Sequence, residues 1–385
     1  MIDNRLRDYA RTVSSASRLQ AEGVLAHAKR AQRRRAVLAS TAAAAGVAVV
    51  AVAVALVVRP SGGPAVPAVV PASSAPVAAG CSVDRLPLPA GVTSASTVGA
   101  DPSGRYVIGV RYPSDDSTPA VSILWTDNRP ALLPADFRAV AVNASGLVVG
   151  EHGRLEDRRA AVIKDGAAID LPLPAGGQFT DVTGVNARGE ITGHTFLAGS
   201  AVRGTVWPSV GVQPRLLQAG GKDTYAVGVT DDGTSVGTIG EREKPYRWAA
   251  DGTGKALPVP DGYRGGEARA VNGDWAIGTA STSRGGADGK DELTATEVPV
   301  RWNLRTGALA HGFQIAAEGV AADGTVLGRV GKDVPGVWRD GTVVTLPMPP
   351  GAERGAAMAA VGDGHTIIGW TTAAAGPTPL VWRGC

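Results

Sequence analysis

The sequence predicts an all-β fold, a seven-bladed β-propeller with four-stranded blades over residues 81–385, and three observations predict it. A motif of two glycines separated by apolar residues occurs seven times, and its second glycines are 41, 43, 44, 41, 50 and 41 residues apart. A fixed period of this size is typical of propellers with one four-stranded blade per repeat. A tryptophan recurs in six repeats, and the two cysteines lie at the two ends of the repeat region. The second glycines are Gly109, Gly150, Gly193, Gly237, Gly278, Gly328 and Gly369.

The third repeat shows how one blade is built. Residues 181–185 are small and apolar, as expected of an innermost strand, and Asn186–Gly189 forms a turn in which glycine supplies a positive φ. Residues 190–194 alternate as a second strand. Residues 204–207 begin a third strand, and residues 215–217 make a fourth. Each repeat therefore predicts four short antiparallel strands.

The recurring tryptophans and the Asx-Gly turns are expected to be structural. The tryptophans occupy the third strand, with Ile163 at that place in the second repeat, and we expect them to pack between neighbouring blades. The turns lack the spaced carboxylates and the later Glu of a calcium-binding loop, so no metal site is predicted there. The tryptophans are Trp125, Trp207, Trp248, Trp302, Trp338 and Trp382.

The end of the repeat region predicts how the ring closes. Most repeats end in a Leu-Pro strand, but the last repeat stops at Cys385, and the missing piece stands before the first repeat at Cys81–Pro89. We therefore expect residues 81–89 to supply the fourth strand of the last blade and a Cys81–Cys385 disulfide to join the ends. Such a bond closes a very long loop, which the chain-entropy model values at about 5 kcal/mol. Two free buried thiols are the alternative.

The first 80 residues predict a membrane anchor. Residues 36–58 carry no charge, and a helix of that length extends about 35 Å, enough to cross a bilayer. A basic cluster precedes this segment and a single Arg59 follows it, which predicts a cytoplasmic N-terminus and an outside propeller. An oxidising exterior also suits a disulfide. Residues 59–80 contain five prolines and are predicted to be a semi-extended linker.

Charge divides between the two sides of this anchor. Residues 1–35 hold nine Lys or Arg against three Asp or Glu, a charge of +6, so the remaining residues carry −3 of the total of +3. The positive charge belongs to the tail, and nothing predicts nucleic-acid binding by the propeller. The tail has apolar residues at helical spacing. It is interpreted as a juxtamembrane helix, or alternatively as a docking helix for a cytoplasmic partner or anionic lipid.

A ring of aromatic residues is the best candidate for a binding site. Five of the seven connections between a fourth strand and the next first strand carry Phe or Tyr, with charged residues nearby. Aromatics with mixed charge are typical of binding surfaces. The alternative is that these rings fill the gaps between blades. The five residues are Phe137, Phe179, Tyr225, Tyr263 and Phe313.

No catalytic motif or cofactor site is predicted. The glycine pairs lie in hairpins, not between a strand and a helix, so they do not form a phosphate-binding loop. His152 and His194 both follow second glycines, but other blades carry unrelated residues near that place, so no metal site is predicted.

The repeats resemble a known bacterial family. The stretches Asn143–Gly150, Asn186–Gly193 and Val337–Gly341 look like the extracellular HAF-type repeats, although the His-Ala-Phe triplet itself is missing. The resemblance covers about residues 86–385 and implies a propeller with no particular reaction. The Ala-, Val- and Arg-rich anchor resembles those of actinobacterial membrane proteins, some of which are partners of sigma factors.

We interpret the chain as a single-pass membrane protein that displays a propeller outside the cell as a binding module for a protein, peptide or glycan. One alternative is a transmembrane regulator that docks a cytoplasmic factor through residues 1–35. Another is a lyase or hydrolase whose site lies at the channel mouth, which clustered carboxylates or histidines there would favour. We expect a binding role rather than enzymatic activity.

Overall fold

The computed structural model describes residues 75–111, 121–153, 158–198, 201–240, 242–283, 296–339, 341–361, 366–373 and 376–385. The predicted tail (1–35), membrane-spanning segment (36–58) and most of the predicted linker lie outside these residues. Among the described residues, no helix is long and apolar enough to cross a membrane.

The described residues form seven four-stranded antiparallel sheets, which confirms the predicted propeller. The strands of blades 1 to 3 are β2 (Ser96–Ala100), β3 (Tyr106–Arg111), β4 (Val121–Thr126), β5 (Arg129–Leu132); β6 (Phe137–Val142), β7 (Val148–His152), β8 (Arg159–Lys164), β9 (Ala167–Asp170); β10 (Gly177–Val185), β11 (Ile191–Leu197), β12 (Val202–Trp207) and β13 (Arg215–Leu216). Those of blades 4 and 5 are β14 (Thr224–Val229), β15 (Ser235–Ile239), β16 (Lys244–Trp248), β17 (Gly254–Ala256); β18 (Gly265–Asn272), β19 (Trp275–Ser281), β20 (Glu297–Asn303) and β21 (Leu309–His311). Those of blades 6 and 7 are β22 (Ala316–Val320), β23 (Val326–Val330), β24 (Val334–Arg339), β25 (Thr342–Thr345); β26 (Arg354–Val361), β27 (Thr366–Ala373), β28 (Gly376–Arg383) and β1 (Ser82–Arg85). The first strand of each blade contacts the first strands of its neighbours, so these strands surround the central axis.

The ring closes as the sequence predicts. Strand β1 pairs with β28, Ser82 opposite Arg383 and Arg85 opposite Leu380, and it completes blade 7. Cys81 and Cys385 form a disulfide with their Cα atoms 4.7 Å apart. The last blade therefore has no missing strand, and both ends of the propeller are fixed at one place.

The end of the linker is more ordered than the sequence predicts. Val77 pairs in parallel with Thr345, the last residue of β25, and Thr345 donates its backbone N–H to Pro76. Ala75 packs against the hydrophobic cluster around Ile277. Residues 75–80 are therefore not a free spacer: they lie along the outer edge of blade 6, because that edge offers unpaired backbone groups.

Five of the six tryptophans join their blade to the preceding one, as predicted, whereas Trp338 stacks on Phe313. Trp207 is fully buried, and its indole N–H donates to the carbonyl of Pro172 at 2.8 Å. Leu171, beside that proline, is buried in the same cluster. The Leu-Pro pair thus follows the fourth strand rather than belonging to it, and it presents a carbonyl to the next blade. The equivalent bonds are Trp125 to Pro87, Trp248 to Gln218, Trp302 to Pro258 and Trp382 to Pro347.

The second glycine of each repeat allows two strands to approach closely. A Cβ added at Gly193 would lie 1.9 Å from the carbonyl oxygen of Asp181, and one at Gly237 would lie 1.8 Å from that of Tyr225. In every blade the first strand has a register shift directly after the partner of this glycine, typical of a β-bulge. Only glycine fits there, which explains the seven-fold repeat.

Candidate binding face

The two ends of the propeller differ in their connections. We call the end with the turns between first and second strands the turn face. The loop face is the end where each fourth strand leads to the next first strand. On the loop face, one residue of each first strand lies directly opposite the residue that follows the second glycine. These residues form the mouth ring: Ser96, Arg138, Asp181, Tyr225, Glu267, Ala316 and Ala356.

The turn face is held together by its own repeated side chains. The Asn143 side chain accepts backbone N–H groups of its own turn and donates to the carbonyl of Asn186 in the next blade at 2.9 Å. The side-chain amide of Asn186 likewise donates to the carbonyl of Thr230, and that of Asn272 donates to the carbonyl of Val320. These asparagine side chains therefore connect neighbouring blades on the turn face.

The loop face holds a buried charge cluster in blade 2. The Glu151 carboxylate is 2% exposed and lies 3.1 Å from guanidinium nitrogens of both Arg138 and Arg158. The other carboxylate oxygen, Glu151 Oε1, has no hydrogen-bond partner among the described residues, and neither has Arg158 Nε. Two cations and one anion are thus held beneath the surface at one mouth of the channel.

Blade 3 contributes an aspartate–histidine pair beside this cluster. Nδ1 of His194 lies 2.9 Å from Oδ1 of Asp181, and both side chains are largely buried. The ring of Tyr225, from blade 4, meets the imidazole edge-on with centroids 5.7 Å apart. His194 Nε2 makes no hydrogen bond of normal geometry to a described residue. The pair therefore joins blades 3 and 4 at the mouth.

The surroundings favour the charged form of both partners. Burial acts to lower the pKa of His194, but the charge of Asp181 and the hydrogen bond to it raise that pKa above its ordinary value, helped by the backbone of Ala226. Burial acts to raise the pKa of Asp181, yet the charge of His194, the hydrogen bond to it and the charge of Arg158 lower that pKa overall. The result is a buried ion pair.

A second group of charges joins blades 4 and 5 on the loop face. Glu267 is largely buried and lies 2.9 Å from Nε of Arg269 and 3.2 Å from Nε of Arg242. Arg242 also pairs with Glu297. These four residues balance in charge. Among the described residues, no group of three or more His, Cys, Asp or Glu side chains has the arrangement of a metal site.

The predicted aromatic ring is only partly exposed. Phe137, Tyr263 and Phe313 are 1%, 8% and 6% exposed. The prediction that these three rings present a surface is wrong, because each packs in a buried hydrophobic cluster, and Phe313 also stacks on Trp338 at 4.8 Å. Phe179 and Tyr225 are half-buried, and Phe179 stacks on Phe196. A binding role for these two stays a prediction.

The sequence indicates Arg138 and Glu267 as charged neighbours of the aromatic positions, but it does not identify Asp181 or the ion pairs that these residues form. His152 and His194 are not in register: His194 is equivalent to Glu151, and His152 lies one residue further along and pairs with the exposed Asp170. The sequence feature that marks these charges is the residue just after each second glycine. Charged and hydroxyl side chains occur there, although the surrounding repeat is apolar.

Solved structures share the fold. The match with virginiamycin B lyase from Staphylococcus aureus covers 79% of this chain and 98% of the lyase chain, with 13% sequence identity and a TM-score of 0.51. The propeller domain of the Trilobed protease from Pyrococcus furiosus matches 76% and 94%, with 10% identity and a TM-score of 0.51. A Mycobacterium tuberculosis puromycin-hydrolyzing peptidase matches 75% of this chain and 51% of its own, with 13% identity and a TM-score of 0.50.

At such low identity these similarities show the fold and not an activity. No family model and no curated protein matches the sequence. The chain thus shares the β-propeller fold with a lyase and with domains of two peptidases.

Proposed function

We propose that this protein is a membrane-anchored binding module whose propeller lies outside the cell and binds its ligand on the loop face. One observation carries the proposal. On the turn face the repeated asparagine side chains bond to neighbouring blades, whereas the loop face holds buried Glu151 and Arg158 atoms that have no hydrogen-bond partner among the described residues. Buried polar atoms without partners are rare in folded proteins and call for an explanation, of which a ligand is one.

The anchor part of the proposal rests on the sequence. The uncharged segment 36–58, the basic residues before it and the lone Arg59 after it support a single span with the N-terminus inside. The resemblance to HAF-type repeats supports an extracellular location. A protease added to intact cells is expected to cut the linker and release the propeller. Digestion of residues 1–35 from outside would contradict this topology.

The binding role is tested by probing the full-length protein against arrays of capped peptides and of glycans. Exposed Arg264 lies on the loop face and exposed Arg305 on the turn face of blade 5. Both Arg264→Glu and Arg305→Glu should change the free energy of unfolding by less than about 0.5 kcal/mol. Arg264→Glu should weaken retention of the bound probe, and Arg305→Glu should not. Retention of no probe, or equal loss in both variants, would contradict the proposal.

A second candidate function is catalysis by the Asp181–His194 pair. A carboxylate that orients an imidazole is the arrangement of a general acid or base, and this pair lies at the channel mouth. A panel of chromogenic ester and glycoside substrates tests it. Turnover that is lost in His194→Gln, with the melting temperature retained, would support catalysis. Absence of turnover in the wild type would leave binding as the function of this face.

A further inference from the structure

A cavity of about 120 Å³ lies between blades 5 and 6 on the loop face. Its walls are mainly apolar, formed by Val298 and Pro299 of β20 and by Ile315 and Ala316 at the start of β22. Thr279, Arg269 and Glu297 supply its polar lining. The cavity reaches the mouth ring through Ala316, whose side chain is exposed.

The equivalent junction between blades 4 and 5 shows what is special here. Thr238 and Thr279 occupy the same place in their blades, directly after the second glycine. The Thr238 hydroxyl accepts the backbone N–H of Ala268 in the next blade at 3.1 Å. Thr279 is 92% buried, yet its hydroxyl has no hydrogen-bond partner among the described residues, and it lines the cavity. The threonine hydroxyl therefore bonds across the junction between blades 4 and 5, whereas at the junction between blades 5 and 6 the equivalent hydroxyl has no such bond.

The charges around the cavity favour an uncharged ligand. Arg242 and Arg269 are balanced by Glu267 and Glu297. Arg269 offers donors, Glu297 offers acceptors and the Thr279 hydroxyl offers both. A peptide group matches this lining because it is neutral and both donates and accepts hydrogen bonds.

The volume of the cavity limits the size of the apolar group that a ligand can place in it. An apolar cavity of about 150 Å³ holds a benzene ring, so a cavity of 120 Å³ suits a side chain such as Leu or Val and excludes an indole. We propose that this cavity is a peptide subsite that takes one branched aliphatic side chain, while Arg269, Thr279 and Glu297 bond to the adjoining peptide groups. This inference rests on the proposed binding role of the loop face and gives it a ligand class.

Ligand-observed NMR on the purified full-length protein tests the subsite with N-acetyl-leucine methylamide, N-acetylglycine methylamide and methyl glucoside. The leucine probe should bind at least about tenfold more tightly than the glycine probe, because only the leucine side chain fills the apolar cavity. Ala316→Phe should abolish its binding by filling the cavity from an exposed position. The matched control Ala167→Phe, exposed on the outer strand of blade 2, should not.

Thr279→Val and Thr238→Val separate binding from structure. Thr279→Val should weaken binding of the leucine probe while leaving the melting temperature equal or higher, because it removes a buried hydroxyl without a partner. Thr238→Val should lower the melting temperature, because it leaves the Ala268 N–H unpaired. Equal affinity of the leucine probe for wild type and Ala316→Phe, or no binding of it, overturns the subsite. Methyl glucoside binding alone would overturn the subsite and still support the binding role of the face.

Discussion

The turn face and the loop face come from the same seven repeats but use their polar residues differently. On the turn face, Asn143 and Asn186 each satisfy their own turn and then bond to the next blade. On the loop face, the residue that follows the second glycine differs from blade to blade, and in blade 2 it is the buried Glu151. The comparison teaches that a residue conserved across the repeats of this chain stabilises the ring. A charged residue that occurs in one repeat only is not explained by the repeated structure.

The largest expected effect comes from removing the central anion of the loop face. Glu151→Ala should lower the free energy of unfolding by about 3–5 kcal/mol, because it removes the buried carboxylate that pairs with both Arg138 and Arg158. Urea denaturation measures this.

The matched control replaces the whole group with apolar residues. The triple variant Arg138→Met, Glu151→Leu, Arg158→Met should be about as stable as the wild type, because uncharged side chains need no buried partner. Loss of probe binding in this stable variant would assign the charges to function. A triple variant as unstable as Glu151→Ala would instead assign them to the fold.

The predicted aromatic ring divides into structural and accessible members. Phe137→Ala should cost about 3–5 kcal/mol, because the ring is fully buried against Ile108 and Ala139. Phe179→Ala should cost about 1 kcal/mol, since that ring is half-buried. Thermal unfolding of both variants measures the difference. Similar losses would show that the two rings fill the same kind of gap between blades.

The turn face should respond with a smaller loss and no effect on binding. Asn143→Ala removes the bonds within its turn and the bond to blade 3, and should cost about 1–3 kcal/mol. Asn143→Asp keeps an acceptor for the turn but places a buried carboxylate oxygen against the carbonyl of Asn186, so it should also destabilise the protein. Array binding should be unchanged in both. Weaker binding in a folded Asn143 variant would break the contrast between the two faces.

The smallest expected effect is a pH dependence of stability from the Asp181–His194 pair. Because the folded-state pKa of His194 is raised above its ordinary 6.5, its contribution is fully present below pH 6.5 and is lost as pH rises through the folded pKa. Because the pKa of Asp181 is lowered below its ordinary 3.8, its contribution is present above pH 3.8 and is lost as pH falls through the folded pKa.

Urea midpoints measured from below pH 3.8 to above pH 6.5 check this pH dependence. His194→Gln should remove the loss of stability that the wild type shows as pH rises above 6.5, because glutamine does not titrate. An unchanged slope above pH 6.5 in the variant would show that other groups cause it.

The fold could be predicted from the sequence because its signals repeat. Seven glycine pairs, six tryptophans and two terminal cysteines each impose one local geometry, and the closed ring is the arrangement that satisfies all of them. The Trp207–Pro172 bond illustrates this: a tryptophan and a Leu-Pro pair recur together because one donates to the carbonyl of the other. The register shift in each first strand was not predicted, although the second glycine is its cause.

The candidate face could not be predicted because its residues do not repeat and depend on packing between blades. Phe137 and Phe179 occupy similar places in the sequence, yet the first is buried and the second is half-buried. Thr238 and Thr279 are the same residue at the same position of the motif, yet the Thr238 hydroxyl bonds to the next blade and Thr279 lines a cavity with no hydrogen-bond partner for its hydroxyl among the described residues.

The bond between Cys81 and Cys385 turns the propeller into a covalent macrocycle. A protease that cuts one exposed loop then releases no fragment. It produces a circular permutant whose new ends lie at the cut, while all strands stay on one continuous polymer. Two cuts are needed before any blade can diffuse away. For a domain proposed to lie outside the cell, this topology converts a single proteolytic event from loss of the domain into a local nick.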